Sequence, residues 1–202
     1  MNKNIEHYVF RKRKFLEEEY CENSINELNK VVWEKHKWYN PKSHEMYKES
    51  EDYEPEFISL ELPYNFIDDG DRITKINNFI VQELYSAIEE YIFHYLNIDW
   101  YTGWEGYTAL TFYRYYPGQI MKNDIVHIQS MFDGTRKGIP TLTIIGILND
   151  DYEGGELIMF EDKKIDIKQG DLLIFPSNFL YPHKIAPVIK GVRYSYVAFV
   201  WG

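Results

Sequence analysis

The chain has 202 residues, 45% hydrophobic and 17% aromatic, enough to bury one sizeable core and too few for two comfortable domains. A formal charge of -10 argues against nucleic-acid backbones and anionic membranes as partners, since both reward clustered Lys and Arg. The single cysteine, Cys21, excludes an intrachain disulfide and zinc sites built on thiolates, and it points to a reducing compartment. The residues after Met1 lack a secretory apolar core, and no window approaches the ~18 apolar residues of a membrane span. A soluble, cytoplasmic protein is therefore expected.

From residue 11 to 38, Phe15, Leu16, Ile25, Leu28, Val31, Val32 and Trp33 recur at helical spacing, which predicts one or two helices. The basic run Arg11 to Lys14 reads as a solvated helix face, because Glu17 to Glu19 follow and invite i,i+4 pairing. Ser24 with Glu27 three positions on reads as a capping box. Residues 40–53 are polar and aromatic and read as a loop. The aromatics of KHKWYNPKSHEMY, Lys35 to Tyr47, suit packing against a barrel mouth, or stacking on a base or a proline ring. A longer helix is predicted from Asp71 to Leu96, where Ile76, Phe79, Ile80, Leu84, Ile88, Tyr91, Ile92 and Tyr95 form one stripe.

After Trp100 the pattern changes. Tyr107 to Tyr116 alternates, Thr141 to Leu148 is a near-continuous apolar run, and the stretches LLIF and RYSYVAFVW follow with Gly or Pro between them. Helices first and many short strands after predict an α+β protein, with helices buttressing an antiparallel sandwich or jelly roll. One domain is expected over 1–202, with 1–100 mainly helical support and 101–202 the β core. Glycines at Gly154 and Gly155 permit a tight excursion between strands, Gln169 to Asp171 reads as a turn, and Pro176 stops a short buried strand. His183 follows that strand, at the mouth where ligands collect. His7, His36, His44 and His94 lack the spacing of a ligand pair and read as structural or exposed, with His36 placed in a helix between Trp33 and Trp38.

Several pieces in order carry a resemblance: RYYPG at Arg114 to Gly118, ILNDDYEGGEL at Ile147 to Leu157, KQGDLLIFPSNFLYPHKI at Lys168 to Ile185, and PVIKGVRYSYVAFVW at Pro187 to Trp201. Tyr107 to Trp201 resembles the 2-oxoglutarate and Fe(II) dependent dioxygenases, in particular the prolyl 4-hydroxylase-like branch with its short phage-type members. That resemblance implies a double-stranded β-helix (jelly roll) core with N-terminal supporting helices. It implies Fe(II) and 2-oxoglutarate as cofactors, with ascorbate as an accessory. It further implies hydroxylation of a C-H bond in a peptide, protein or small-molecule substrate, and a host cytoplasm if the chain is phage-encoded. Residue by residue, His183 matches the distal metal histidine and Arg193, ten residues on, the basic residue that grips the far carboxylate of 2-oxoglutarate. Imidazole suits Fe(II), and a guanidinium forks onto a carboxylate. Tyr115 matches the tyrosine that bonds the same carboxylate, and Thr143 is a further candidate for that pocket.

One departure stands out. The family's proximal metal motif is HxD, which with the distal histidine makes a facial 2-His-1-carboxylate triad. Counting from RYYPG, and matching the phage-type pattern MKxHxDHIHSxFDG onto MKNDIVHIQSMFDG, places Asp124 at the histidine and Val126 at the aspartate. His127 has its own counterpart in that pattern. Three readings stay open: iron held by Asp124, His183 and His127 after local rearrangement; a catalytically degenerate fold that keeps a dicarboxylate pocket or serves protein interaction; or a purely structural domain. Asp124 and His127 differ by an odd number, so the first needs a turn or bulge between them. Some relatives replace the carboxylate with a small residue and bind halide, but they retain the histidine.

Overall fold

The computed structural model describes residues 4–35, 38–40, 45–47, 55–59, 70–99, 101, 106–124 and 140–201. A short turn of helix at Ile5–Tyr8 leads into strand β1 (Phe10–Lys12) and helix α1 (Glu18–Leu28). Strands β2 (Glu34–Lys35), β3 (Trp38–Asn40), β4 (Glu45–Tyr47) and β5 (Glu56–Ser59) precede α2 (Gly70–Glu89), which runs into a π-helical turn at Glu90–Tyr95. The rest is strand: β6 (Gly106–Tyr107), β7 (Thr111–Tyr115), β8 (Met121–Asp124), β9 (Pro140–Ile147), β10 (Glu153–Gly154), β11 (Leu157–Met159), β12 (Lys163–Lys164), β13 (Leu172–Pro176), β14 (His183–Ile185), β15 (Val188–Lys190) and β16 (Arg193–Trp201).

Among the described residues, a major sheet runs β1-β13-β9-β16-β7-β5-β2, with β6 also on β16, and a minor sheet runs β12-β11-β14-β8. Every described pairing is antiparallel. Period-two alternation gives the major sheet two apolar faces. Phe112, Ile144, Leu172, Ile174, Tyr196, Ala198 and Val200 pack with Ile80, Leu84, Ile88 and Tyr91 of the helical layer. On the other face Tyr115, Ile145, Ile147, Leu173 and Phe175 pack with Met121, Leu157, Met159 and Ile185 of the minor sheet. The interior between the sheets is the jelly roll core, and the expected fold class holds. No helix among the described residues is long and apolar enough to cross a membrane.

The N-terminal third departs from its sequence pattern. Arg11 and Lys12 lie in β1, and Arg13 and Lys14 in a turn, so the basic run is not a helix face. Its charges join distant segments: Arg11 and Arg13 pair with Asp166, Arg13 also with buried Asp171, and Lys12 with Glu90. Ser24 sits inside α1, where its hydroxyl donates to the Tyr20 carbonyl, so it caps nothing. Packing of Cys21, Ser24 and Leu28 holds that helix instead. The expected loop after Asn40 contains a strand, because β3 and β4 pair. His36 and His44 lie outside the described residues.

One close approach shapes the helix-side core. Gly146 pairs across strands with Tyr196, and a Cβ at Gly146 would run into Cζ, Cε1 and the phenolic oxygen of that ring. Gly146→Ala must push a fully buried tyrosine aside, and overpacking of that kind costs about 1–3 kcal/mol. For a chain of this size the melting temperature should fall by about 2–12 °C in a thermal melt.

Candidate functional site

The site is built on the inner faces of the two sheets. Arg193 opens β16 and is 1% exposed, with its cross-strand partner Tyr115, 2% exposed, ending β7. The guanidinium carbon lies 5.2 Å from the centre of the Tyr115 ring. Its Nη1 donates to Ser195 Oγ at 2.7 Å, while Nε and Nη2 are buried without a hydrogen-bond partner among the described residues. Nε and Nη2 form one edge of the guanidinium plane, the edge that meets the two oxygens of a carboxylate side-on. Burying an unpaired cation costs several kcal/mol, and one serine hydroxyl and one aromatic face offset only part of that. The arrangement therefore suits a planar anion.

Gly155 closes the pocket from the side. A Cβ there would stand 3.1 Å from Arg193 Cδ and 3.0 Å from Val188, and its φ of +62° is one glycine adopts freely. From Arg193 the interior leads through Tyr115, whose hydroxyl donates to Met121 Sδ at 3.8 Å, and across Met121 to its strand partner Ile185, two residues from His183.

His183 begins β14 and is buried. Its Nδ1 lies 3.1 Å from the Tyr181 carbonyl, which only accepts, so in the neutral ring Nδ1 carries the proton and Nε2 the lone pair. Phe175 packs edge-on against the imidazole at 5.1 Å. Tyr181 is itself fixed, because its phenol donates to the Ile5 carbonyl at 3.1 Å and burial raises its pKa above the ordinary value. The N-terminal turn thus supports the histidine's orientation from behind.

Asp124 ends β8 at the position paired with His183. Directly paired positions on antiparallel strands share one sheet face, about 4.5–5.5 Å apart at Cβ. Val126 and His127 lie outside the described residues, and among the described residues no group of three His, Cys, Asp or Glu gathers to hold a metal. Thr143 is buried and donates to Ser177 Oγ at 2.9 Å. It pairs with Phe175 and Phe199, so it lies six residues along β16 from Arg193, roughly 20 Å at strand rise. The ladder therefore sets Thr143 beside the His183 end and apart from the guanidinium.

Ser195 and Gly155 were not singled out in the sequence as pocket residues. Alternation along RYSYVAFVW carried the signal for Ser195, since i and i+2 share a face.

The family model described as the 2OG-Fe(II) oxygenase superfamily matches residues 110–201. Among solved structures, the viral collagen prolyl hydroxylase of Paramecium bursaria Chlorella virus-1, a 2OG complex, is 16% identical, covering 96% of each chain at a TM-score of 0.57. A prolyl-4-hydroxylase from Pseudomonas putida is 15% identical, over 97% of this chain and 94% of that one, at 0.57. A prolyl hydroxylase from Trichoplax adhaerens, in complex with a hypoxia inducible factor oxygen degradation domain peptide fragment, is 16% identical, over 96% and 84%, at 0.60. At these identities the structures establish a shared fold. No curated protein matches the chain.

Proposed function

We propose that the protein is a 2-oxoglutarate-dependent dioxygenase-like enzyme of the prolyl hydroxylase kind, since residues 110–201 match the 2OG-Fe(II) oxygenase superfamily model. The buried Arg193 fork, two nitrogens deep in an apolar interior without partners among the described residues, carries this reading. It grips the distal carboxylate of 2-oxoglutarate side-on, and Tyr115 walls the same end. A peptide is the proposed substrate class, in keeping with the peptide bound to the Trichoplax adhaerens neighbour.

The residues fit the cosubstrate better than they fit the metal. His183 offers a lone pair at Nε2 and Asp124 occupies the paired position, so these two would hold iron, with His127 as the third donor of a rearranged set. Val126 offers no ligand where a carboxylate is expected. Bound iron supplies oxygen activation for C-H hydroxylation, coupled to conversion of 2-oxoglutarate and oxygen to succinate and carbon dioxide. The chain's own residues orient the cosubstrate through Arg193, fix the imidazole tautomer through the Tyr181 carbonyl, and exclude water with the apolar interior between the sheets.

A second reading keeps only the dicarboxylate pocket, because the Arg193 fork is complete without a metal while the HxD pair is absent from the sequence. Anaerobic titration of the metal-free chain with Fe(II), then 2-oxoglutarate, then oxygen with succinate release as the readout, separates the two. Iron binding with succinate release supports the enzyme. Binding of 2-oxoglutarate without either supports the pocket alone, and no binding of either ligand would sink both.

A further inference from the structure

Arg193 is buried and paired with Tyr115 on one side, but its other side lies past the end of the β9 ladder. On one side β9 stops at Ile147, the partner of Ser195, and the last bond of that edge runs from the Leu148 amide to the Tyr194 carbonyl at 3.0 Å. Beyond it the two chains part, so no strand on this side fixes the backbone that carries the guanidinium. The long arm of an arginine magnifies any drift at its root, and the side-on fork tolerates little.

The side chain of Asn149, 7% exposed, fills the gap. Its Nδ2 donates to the Val192 carbonyl at 2.7 Å, and its Oδ1 accepts from the Tyr194 amide at 2.7 Å. One amide therefore bonds the backbone on both flanks of Arg193, as a missing strand would. The other Nδ2 hydrogen goes to Asp151 Oδ1 at 2.6 Å, which fixes the plane of the amide. Gly191, at φ +81°, lets this loop lie close: a Cβ there would meet the Asp151 carbonyl oxygen and Tyr152 Cα at 3.2 Å each.

We propose that Asn149 is the positioning residue for Arg193, holding the start of β16 so that the Nε and Nη2 edge meets the distal carboxylate, with Asp151 setting Asn149 in turn. The inference rests on the dicarboxylate pocket proposed above. Residues that orient a ligand-binding group act on affinity by about 10-fold or more, as those behind metal ligands do. Such an effect is specific to the group being oriented. A lysine at 193 is a point charge on a flexible stem and does not demand a fixed root.

The test is a double-mutant cycle on the full chain, read by calorimetric titration with 2-oxoglutarate and by thermal melts. Asn149→Ala should weaken 2-oxoglutarate binding about 10-fold with arginine at 193 and no more than about twofold in the Arg193→Lys background, while lowering the melting temperature equally in both. Asp151→Ala, at an exposed position, keeps both backbone bonds of Asn149; it should weaken binding about threefold, again only with arginine present, and it carries the test should Asn149→Ala not fold. Equal weakening in both backgrounds would mean that Asn149 serves the fold at large, and no weakening in either would mean that Arg193 needs no clasp; each overturns the proposal. If the unmodified chain binds no 2-oxoglutarate, the pocket reading itself fails, and the role of Asn149 goes with it.

Discussion

Arg193→Met is expected to abolish measurable 2-oxoglutarate binding while leaving the ligand-free protein at least as hard to melt. The two effects have opposite signs because the guanidinium is placed for a ligand and not for the fold. Without an anion, Nε and Nη2 are buried with no partner among the described residues, over the Tyr115 ring. Replacing a buried charge by an apolar side chain of similar length is often neutral or stabilising by about 1–4 kcal/mol. Loss of the Nη1 bond to Ser195 Oγ offsets part of that gain. With the anion present the balance reverses. Removing one partner of a buried charge pair costs about 2–5 kcal/mol, roughly 30- to 5,000-fold in affinity. Calorimetry with 2-oxoglutarate and a thermal melt of each protein read both signs at once. A variant that melts well below the parent yet keeps its affinity would make Arg193 a structural residue, and the pocket reading would be lost.

Much of the fold was legible because its signals are local. The stripe along α2 and the turn after it is a 3.6-residue pattern written in sequence, and Ile76, Ile80, Leu84, Ile88, Tyr91 and Ile92 do enter the core, whereas Phe79 and Tyr95 stay exposed. The Gly154 and Gly155 turn and the strand ended by Pro176 are likewise set by residues that act on their own backbone. What was not legible depends on distant partners. β1 is three residues long, too short for alternation to show, and it is a strand because β13 offers it an edge. The basic run has no helical pairs to make once it is extended: its arginines find partners more than 150 residues away at Asp166 and Asp171, and Lys12 finds Glu90, 78 residues on. Ser24 and Glu27 fit a capping box, but the helix, held by packing of Cys21 and Leu28, starts nearly two turns earlier, at Glu18.

The site divides along the same line. The ten-residue gap between His183 and Arg193 is written in the chain, whereas their connection through Tyr115, Met121 and Ile185 is a matter of strand register. Register also assigns Asp124 its partner. Thr143 has the right type and burial for a carboxylate pocket, yet the ladder sets it far along β16 from the guanidinium. Asn149 stands in the sequence inside the ILNDDYEGGEL stretch with no role of its own, and its grip on both sides of Arg193 exists only once β9 and β16 are adjacent.

Restoring the metal pair should produce the larger gain of function. In the variant carrying Asp124→His and Val126→Asp, Fe(II) affinity is expected to rise by about 100-fold or more over the parent, since changes merely behind a ligand already cost about 10- to 100-fold. The register gives the physical reason. Position 124 is the cross-strand partner of His183, so the double change puts a histidine at the ladder position opposite the distal histidine and restores the HxD spacing in the sequence. The two histidines and one carboxylate then leave three positions for 2-oxoglutarate and oxygen. Val126→Asp alone should give an intermediate gain, because it supplies a carboxylate without exchanging Asp124. Anaerobic titration of parent, single and double variants, followed by succinate release, orders them. Equal affinity in parent and double variant would mean that the natural residues already form a working donor set. Failure of the double variant to bind would instead remove Asp124 from the metal side of the barrel, leaving Arg193 and its carboxylate fork as the chemistry this chain retains.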